Sequence, residues 1–353
     1  MEDYSLTLVS SRSRQRWRRL LIAFGVSIVI AIFAAGIGSV FIPPIATLQI
    51  ILSKLPFIEL FETTPTSWNT IIWDIRLPRV VTSGLVGGSL ALAGATYQGL
   101  FRNPLADPYL LGIAGGAGLG ATIVLTTKIP PVMGGFSILP IAAFIGAIIA
   151  GLISYSISRR SSGISTATLI LSGIAIASLT ASVTSLLLIR STPDVKPLLS
   201  WLLGGFIGSQ RDHTFIMLPY ILVGGIITLS YARVLNVLQT SEEEAHYLGV
   251  NITRTKILLI GSASLITAAA VSISGLIGIV GLIGQHAERL LWGADYRMLL
   301  PMSIFVGGSF LIIADLTARL IISPSELPVG VVTGIQGSRR YRVKVIGEDG
   351  HAG

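Results

Sequence analysis

The chain has no cysteine and only four histidines, His213, His246, His286 and His351. Without thiols, disulfides and thiolate metal sites are excluded. The histidines are scattered and none falls in an HxxxH or HExxH pair, so no metal site on this chain is expected. Charge is also scarce. Asp, Glu, Lys and Arg make up 12% of the 353 residues, against about 25% in soluble domains. No GxxxxGKS/T occurs, so the chain holds no nucleotide in a P-loop. The run GGAGLGA (115–121) has the composition of a nucleotide loop, but it does not fit GxGxxG and lies in an apolar stretch. No bound cofactor is expected.

What is abundant is apolar surface: 52% of residues are hydrophobic and the mean hydropathy is +0.78. Too little polar surface remains to wrap a water-soluble core. Several apolar runs reach the roughly 18–20 residues that cross a bilayer core. Lipid cannot satisfy open backbone groups, so these runs read as helices, and weak alternation argues against a barrel. Hydropathy gives ten spans: 20–43, 78–100, 107–127, 131–157, 165–189, 212–236, 255–275, 277–292, 297–321 and 326–343. The first follows a basic segment with no small-residue cleavage site, and reads as a retained span. The arginines before it, with Arg159, Arg160, Arg233, Arg254, Lys256 and the Arg339–Lys344 cluster, orient both termini to the cytoplasm. The net charge of +8 then reflects membrane topology, with lipid and not nucleic acid as the partner. Arg76, Arg79, Arg190 and Arg211 fall at outer edges, against the trend.

Local patterns add detail. Gly84 and Gly88 lie four apart, and Gly112, Gly116 and Gly120 repeat that spacing. Small residues at this interval let membrane helices approach closely. Pro104 and Pro108 break the chain after Asn103. Segments 41–61 and 193–209 are apolar but do not span. The polar stretch 238–256 reads as a short amphipathic helix. Ser241 caps it, Glu242, Glu243 and Glu244 fill its first turn, and Gly249 stops it.

Several motifs in order carry a family resemblance: RLPR (76–79), GATYQGLFRNPLADPYLLGIAGGAG (94–118), LILSGIAIASL (169–179), WLLGG (201–205), EEEAHYLGV (242–250), GLIGIVGLIGQHAERLLWGADYRMLLP (275–301) and ADLTARLIISPSELPVGVVTGIQG (314–337). Over residues 20–337 the chain resembles the FecCD-type permeases of ABC importers, which carry iron-siderophores, haem or cobalamin. The resemblance implies an all-α type II importer permease of about ten helices, acting as a homodimer or with a paralogous permease. It implies two ATPase subunits that supply ATP and Mg, and an extracytoplasmic binding protein. It makes the chain a transport subunit and not an enzyme. Carried over by motif, Arg76, Arg79 and Arg319 dock the binding protein. Glu242, Glu243, Glu244, Ala245, Leu248, Gly249 and Val250 form the ATPase-coupling helix (241–250). Asn103, Leu105, Ser165 and Thr166 form a cytoplasmic gate.

The chain then divides into a basic tail (1–19), a permease domain (20–337) and a polar tail (338–353). Two segments depart from the family pattern. Residues 284–289 read GQHAER where the family has a proline and small apolar residues, and the chain continues as GSRRYRVKV after the last motif. Two rivals stay open: an ion- or proton-coupled secondary transporter, with Asp315 as its acid within a span, and an inactive permease relative.

Overall fold

The computed structural model describes residues 2–54, 65–127, 129–130, 132–133, 136–160, 163–164, 166–190, 196–282, 293–322 and 325–337. Ser165, the 284–289 segment and the 338–353 tail lie outside the described residues. Among the described residues the regular structure is helical apart from two hairpins of two-residue strands, β1 (Val132–Met133) with β2 (Phe136–Ser137) and β3 (Arg159–Arg160) with β4 (Gly163–Ile164).

Hydropathy gives ten spans; seven helices among the described residues are long and apolar enough to cross. They lie within α1 (Glu2–Gly36), α3 (Thr66–Thr70) running through a π turn into α4 (Leu77–Phe101), α6 (Ile138–Ser158), α7 (Thr166–Arg190), α9 (Arg211–Ser230), α12 (Ile252–Ser274) and α13 (Tyr296–Ile321). Proline and glycine account for one difference. The expected span 107–127 opens as a 3-10 turn, Pro108–Leu111, and Gly112 (φ 75°) restarts the chain as α5, Ile113–Thr126. Those 14 residues reach only about 21 Å, short of a roughly 30 Å hydrocarbon core. The expected span 277–292 is described only to 282 and the span 326–343 only to 337; 280–282 and α14 (329–337) are helical within them. The first span stops at Gly36, and Pro43 and Pro44 start a separate short helix, α2 (Pro44–Ser53). The basic 1–19 segment is helical from Glu2, continuous with the first span.

Helix α4 is the centre of the bundle, with 83% of its membrane window covered by other parts of the chain. Glycine makes that possible. A Cβ on Gly87 would run into the Gly307 carbonyl of α13, and one on Gly88 would sit 2.8 Å from the Ile304 carbonyl. Gly84 faces the Ile312 side chain, also on α13. Helices α5 and α6 meet the same way: a Cβ on Gly116 or Gly120 would collide with the Gly146 or Ala142 carbonyl. Backbones this close gain dispersion contacts that larger residues would prevent. At the head of α4, Pro78 has no N–H to give the turn before it. The chain passes through a π turn, Ile71–Arg76, where Leu77 N reaches back to Ile72 O.

Non-helical backbone inside the bundle is fully used. Helix α12 stops at Gly275 (φ 67°), and the Ser274 carbonyl accepts from Gly205 N at 2.8 Å. Gly330 N donates to Leu203 O at 3.1 Å, and Tyr109 Oη donates to Ile277 O at 2.8 Å. Irregular backbone away from water is tolerated only when satisfied in this way.

Candidate functional site

One end of the bundle carries an arginine cluster. Arg76 follows from the π turn and is only 7% exposed. Its Nη1 donates to Ala35 O (3.0 Å) and Gly36 O (2.8 Å), and its Nη2 to Val40 O (2.7 Å). The Ala35 and Gly36 carbonyls end α1 and have no intrahelical donor, and Val40 lies in the loop just past it, so a cation there satisfies both hydrogen bonding and the helix dipole. Arg319 donates to Ala34 O at 3.1 Å and lies 3.2 Å from Asp315. Arg79 splits its fork. Nε and Nη2 hold Asp315 at 2.8–3.1 Å, and Nη1 holds Glu326 at 2.8–3.0 Å. Asp315 is fully buried between the two guanidiniums. A buried pair of this kind costs about 3–5 kcal/mol to break from one side.

The structure therefore brings the three sequence-selected arginines together and directs their donors inward. Three cations against two anions leave one net positive charge. Sequence reading missed Glu326 as a partner and took Asp315 as a candidate ion site; two guanidiniums neutralise that acid. The signal for the pair was the i, i+4 spacing of Asp315 and Arg319.

The opposite end carries the 241–250 segment. Ser241 Oγ accepts from Glu244 N at 3.0 Å and starts α11 (Glu242–Tyr247), preceded by α10 (Ala232–Leu238). Gly249 (φ 83°) ends the turn in a conformation that β-carbons disfavour. The selected residues divide by direction. Ala245 is fully buried and Val250 packs on the core. Leu248 is 71% exposed, and so is Tyr247 at 87%, which sequence reading passed over. Glu242 pairs with Lys256 of α12 at 2.8 Å. The outward surface thus comprises Glu243, Glu244, His246, Tyr247, Leu248 and Gly249. Gln239 Nε2 donates to Gly99 O at 2.8 Å, which fixes this segment to the last turn of α4.

Beyond α4, Asn103 Oδ1 accepts from Leu105 N at 2.9 Å, and the Leu105 side chain is exposed. Thr166, half-buried, begins α7. Above it, the uncovered face of α7 presents Ala175, Ser178, Ser182 and Ser185 at helical spacing. Ser182 and Ser185 return their hydroxyls to carbonyls four residues back, so the helix satisfies its own polar groups along this stripe.

The FecCD transport family matches residues 20–338 of this chain. The cobalamin import system permease protein BtuC of Halobacterium salinarum is 46% identical over 274 residues, 78% of this chain and 73% of that one. The hemin transport system permease protein HmuU of Yersinia pestis is 40% identical over 288 residues, 80% of this chain and 86% of that one. A solved structure described as an inward-facing conformation of a metal-chelate type ABC transporter superposes with a TM-score of 0.77 at 29% identity, covering 93% of this chain and 99% of that one. PsaBC from Streptococcus pneumoniae shares the fold alone, with a TM-score of 0.53 at 19% identity over 76% of this chain and 90% of that one. With the match running from the first span to the end of α14, and with the glycine-packed bundle of an importer permease, this chain belongs to the FecCD transport family.

Proposed function

We propose that this permease subunit imports a metal chelate of the cobalamin, haem or iron-siderophore class, driven by ATP and Mg held on a partner ATPase. Two copies pair with their α7 faces along the pathway. The observation that carries this reading is the hydroxyl stripe of Ser178, Ser182 and Ser185 on an uncovered membrane helix. Hydroxyls gain nothing against lipid tails, whereas a hydrated path or a second copy gives them a use. The 241–250 segment is the ATPase contact, with Tyr247 and Leu248 as its apolar tip. Asn103, Leu105 and Thr166 stand where a gate at the cytoplasmic end would close. In this reading the arginine end faces outward and receives the binding protein. Its surplus positive charge attracts carboxylates, and Arg79, through the half-exposed Glu326, is its most accessible member.

Asp315, the acid of the proton-coupled rival, is already ion-paired with Arg79 and Arg319 and buried between them, which speaks against that rival. The test is reconstitution with a partner ATPase and binding protein, using cobalamin, haem and a ferric siderophore as probes. ATP-dependent uptake of one of them, absent without the ATPase, is expected. Accumulation by the chain alone, or uptake abolished by a protonophore at constant ATP, would overturn the reading.

A further inference from the structure

The segment that meets the motor must move something, and the structure contains a short polar route from it. Helix α10 runs directly into α11, and the half-buried Asn236 of α10 uses both ends of its amide. Nδ2 donates to Asp295 Oδ1 at 2.7 Å, and Oδ1 accepts from Tyr296 N at 2.8 Å. Asp295 caps α13, accepting from Arg297 N at 3.0 Å. Its other oxygen holds Arg16 of α1 at 2.7 Å. One carboxylate thus joins α10, α13 and α1.

Past that point α1 and α13 are fastened along their length. Ser27 and Ser309 hydroxyls lie 2.9 Å apart, and Phe24 meets Phe305 edge to face at 5.8 Å. At the far end Arg319 of α13 grips the last carbonyls of α1. The two helices form one body, tied to the central α4 by Arg79 through Asp315.

We propose that Asn236 and Asp295 are positioning residues that pass displacement of the 241–250 segment to the α1–α13 body, so that α1 moves with the motor contact. This rests on the reading of 241–250 as the ATPase contact. A polar route suits the task, because paired hydrogen bonds fix direction where an apolar contact slides. The neighbouring Gln239–Gly99 and Glu242–Lys256 bonds carry the same displacement to α4 and α12.

The lack of native cysteine makes the test direct. Cysteines at the exposed Trp17 and Tyr247 are spin-labelled in the full-length chain, and the distance distribution between them is measured by pulsed EPR. Asn236→Ala should widen the distribution by about twofold, because both amide bonds are lost. Asp295→Asn keeps the cap and the amide contact, drops the charge on Arg16, and should widen it less. Arg297→Gln removes only a local pair and should leave it unchanged. An unchanged distribution in folded Asn236→Ala protein overturns the brace. In the reconstituted importer, Asn236→Ala should lower substrate moved per ATP hydrolysed several-fold. A widened distribution with an unchanged ratio of transport to ATP overturns the relay while leaving the contact at 241–250 standing. A ratio unaffected even by Leu248→Asp would instead remove the reading of 241–250.

Discussion

Helices α6 and α7 are consecutive, 21 and 25 residues long, and each leaves one side uncovered. What they expose differs. The open side of α6 is mostly branched aliphatic, Ile141, Ile145, Ile149, Leu152, Ile153 and Ile157, with one serine, Ser156, near its end. Through the middle of α7 the centre of the open side is Ala175, Ser178, Ser182 and Ser185, edged by the exposed Ile174, Leu179 and Leu186, with Leu171 and Ile189 at the two ends. Both pass as membrane helices by composition, so hydropathy alone does not separate them. On the reading proposed above, the exposed surface of this protein has two solvents. Branched aliphatic side chains fit lipid tails; small residues and self-satisfied hydroxyls fit water or a second copy of the chain.

The sharpest way to break that contrast is a charge. Ile149→Lys places an ammonium against lipid at mid-helix and should cost about 2.5–3.5 kcal/mol. Ser182→Lys, on the hydrated side, should cost under about 1 kcal/mol. Equal losses of folded protein in liposomes, judged by thermal unfolding, would mean that α7 also faces lipid. Chemical access probes the same contrast more gently. Cysteines at Ser178 or Ser185 should react with a membrane-impermeant maleimide roughly tenfold faster than cysteines at Ile145 or Ile149. Matching rates would erase the distinction.

The smallest effect concerns α1, which shares the aliphatic outer face of α6 but is held at its ends by charge. Burial alone would raise the Asp295 pKa, but hydrogen bonds from Arg297 and Asn236 hold it down at about 2, from an ordinary 3.8. A depressed carboxylate contributes stability that is complete above its unfolded pKa and is lost as pH falls through the folded value. The tie between α1 and α13 should therefore be constant from pH 8 to about 5 and weaken between about 4 and 2. Spin labels on α1 and α13 report this. Loosening near pH 6 would assign the tie to another group.

Much of this architecture is legible in the residues. The glycine spacing of α4 and α5 points to close packing, and a Cβ at Gly87, Gly116 or Gly120 would indeed strike backbone. Ser241 and Gly249 delimit the 241–250 segment because capping and left-handed turns are local rules. The span count was less legible. Proline and glycine at 104–112 shorten α5 below a full crossing, an effect that a hydropathy window averages away. The arginine cluster was half legible. Arg76 and Arg79 stand out as misplaced charges and Arg319 through its motif, but their partners are α1 carbonyls, Asp315 and Glu326, which lie up to 285 positions away.

By itself the sequence determined the solvent, the helical class and the family, because hydrophobic content, helix signals and motif order are properties of neighbours along the chain. Only the tertiary structure decided which arginine donors are already used, which side of α7 is open, and that Asp295 joins three helices. Those depend on where helices distant in sequence come to lie, and the energy of a charge or hydroxyl in a membrane protein is set by what is placed beside it.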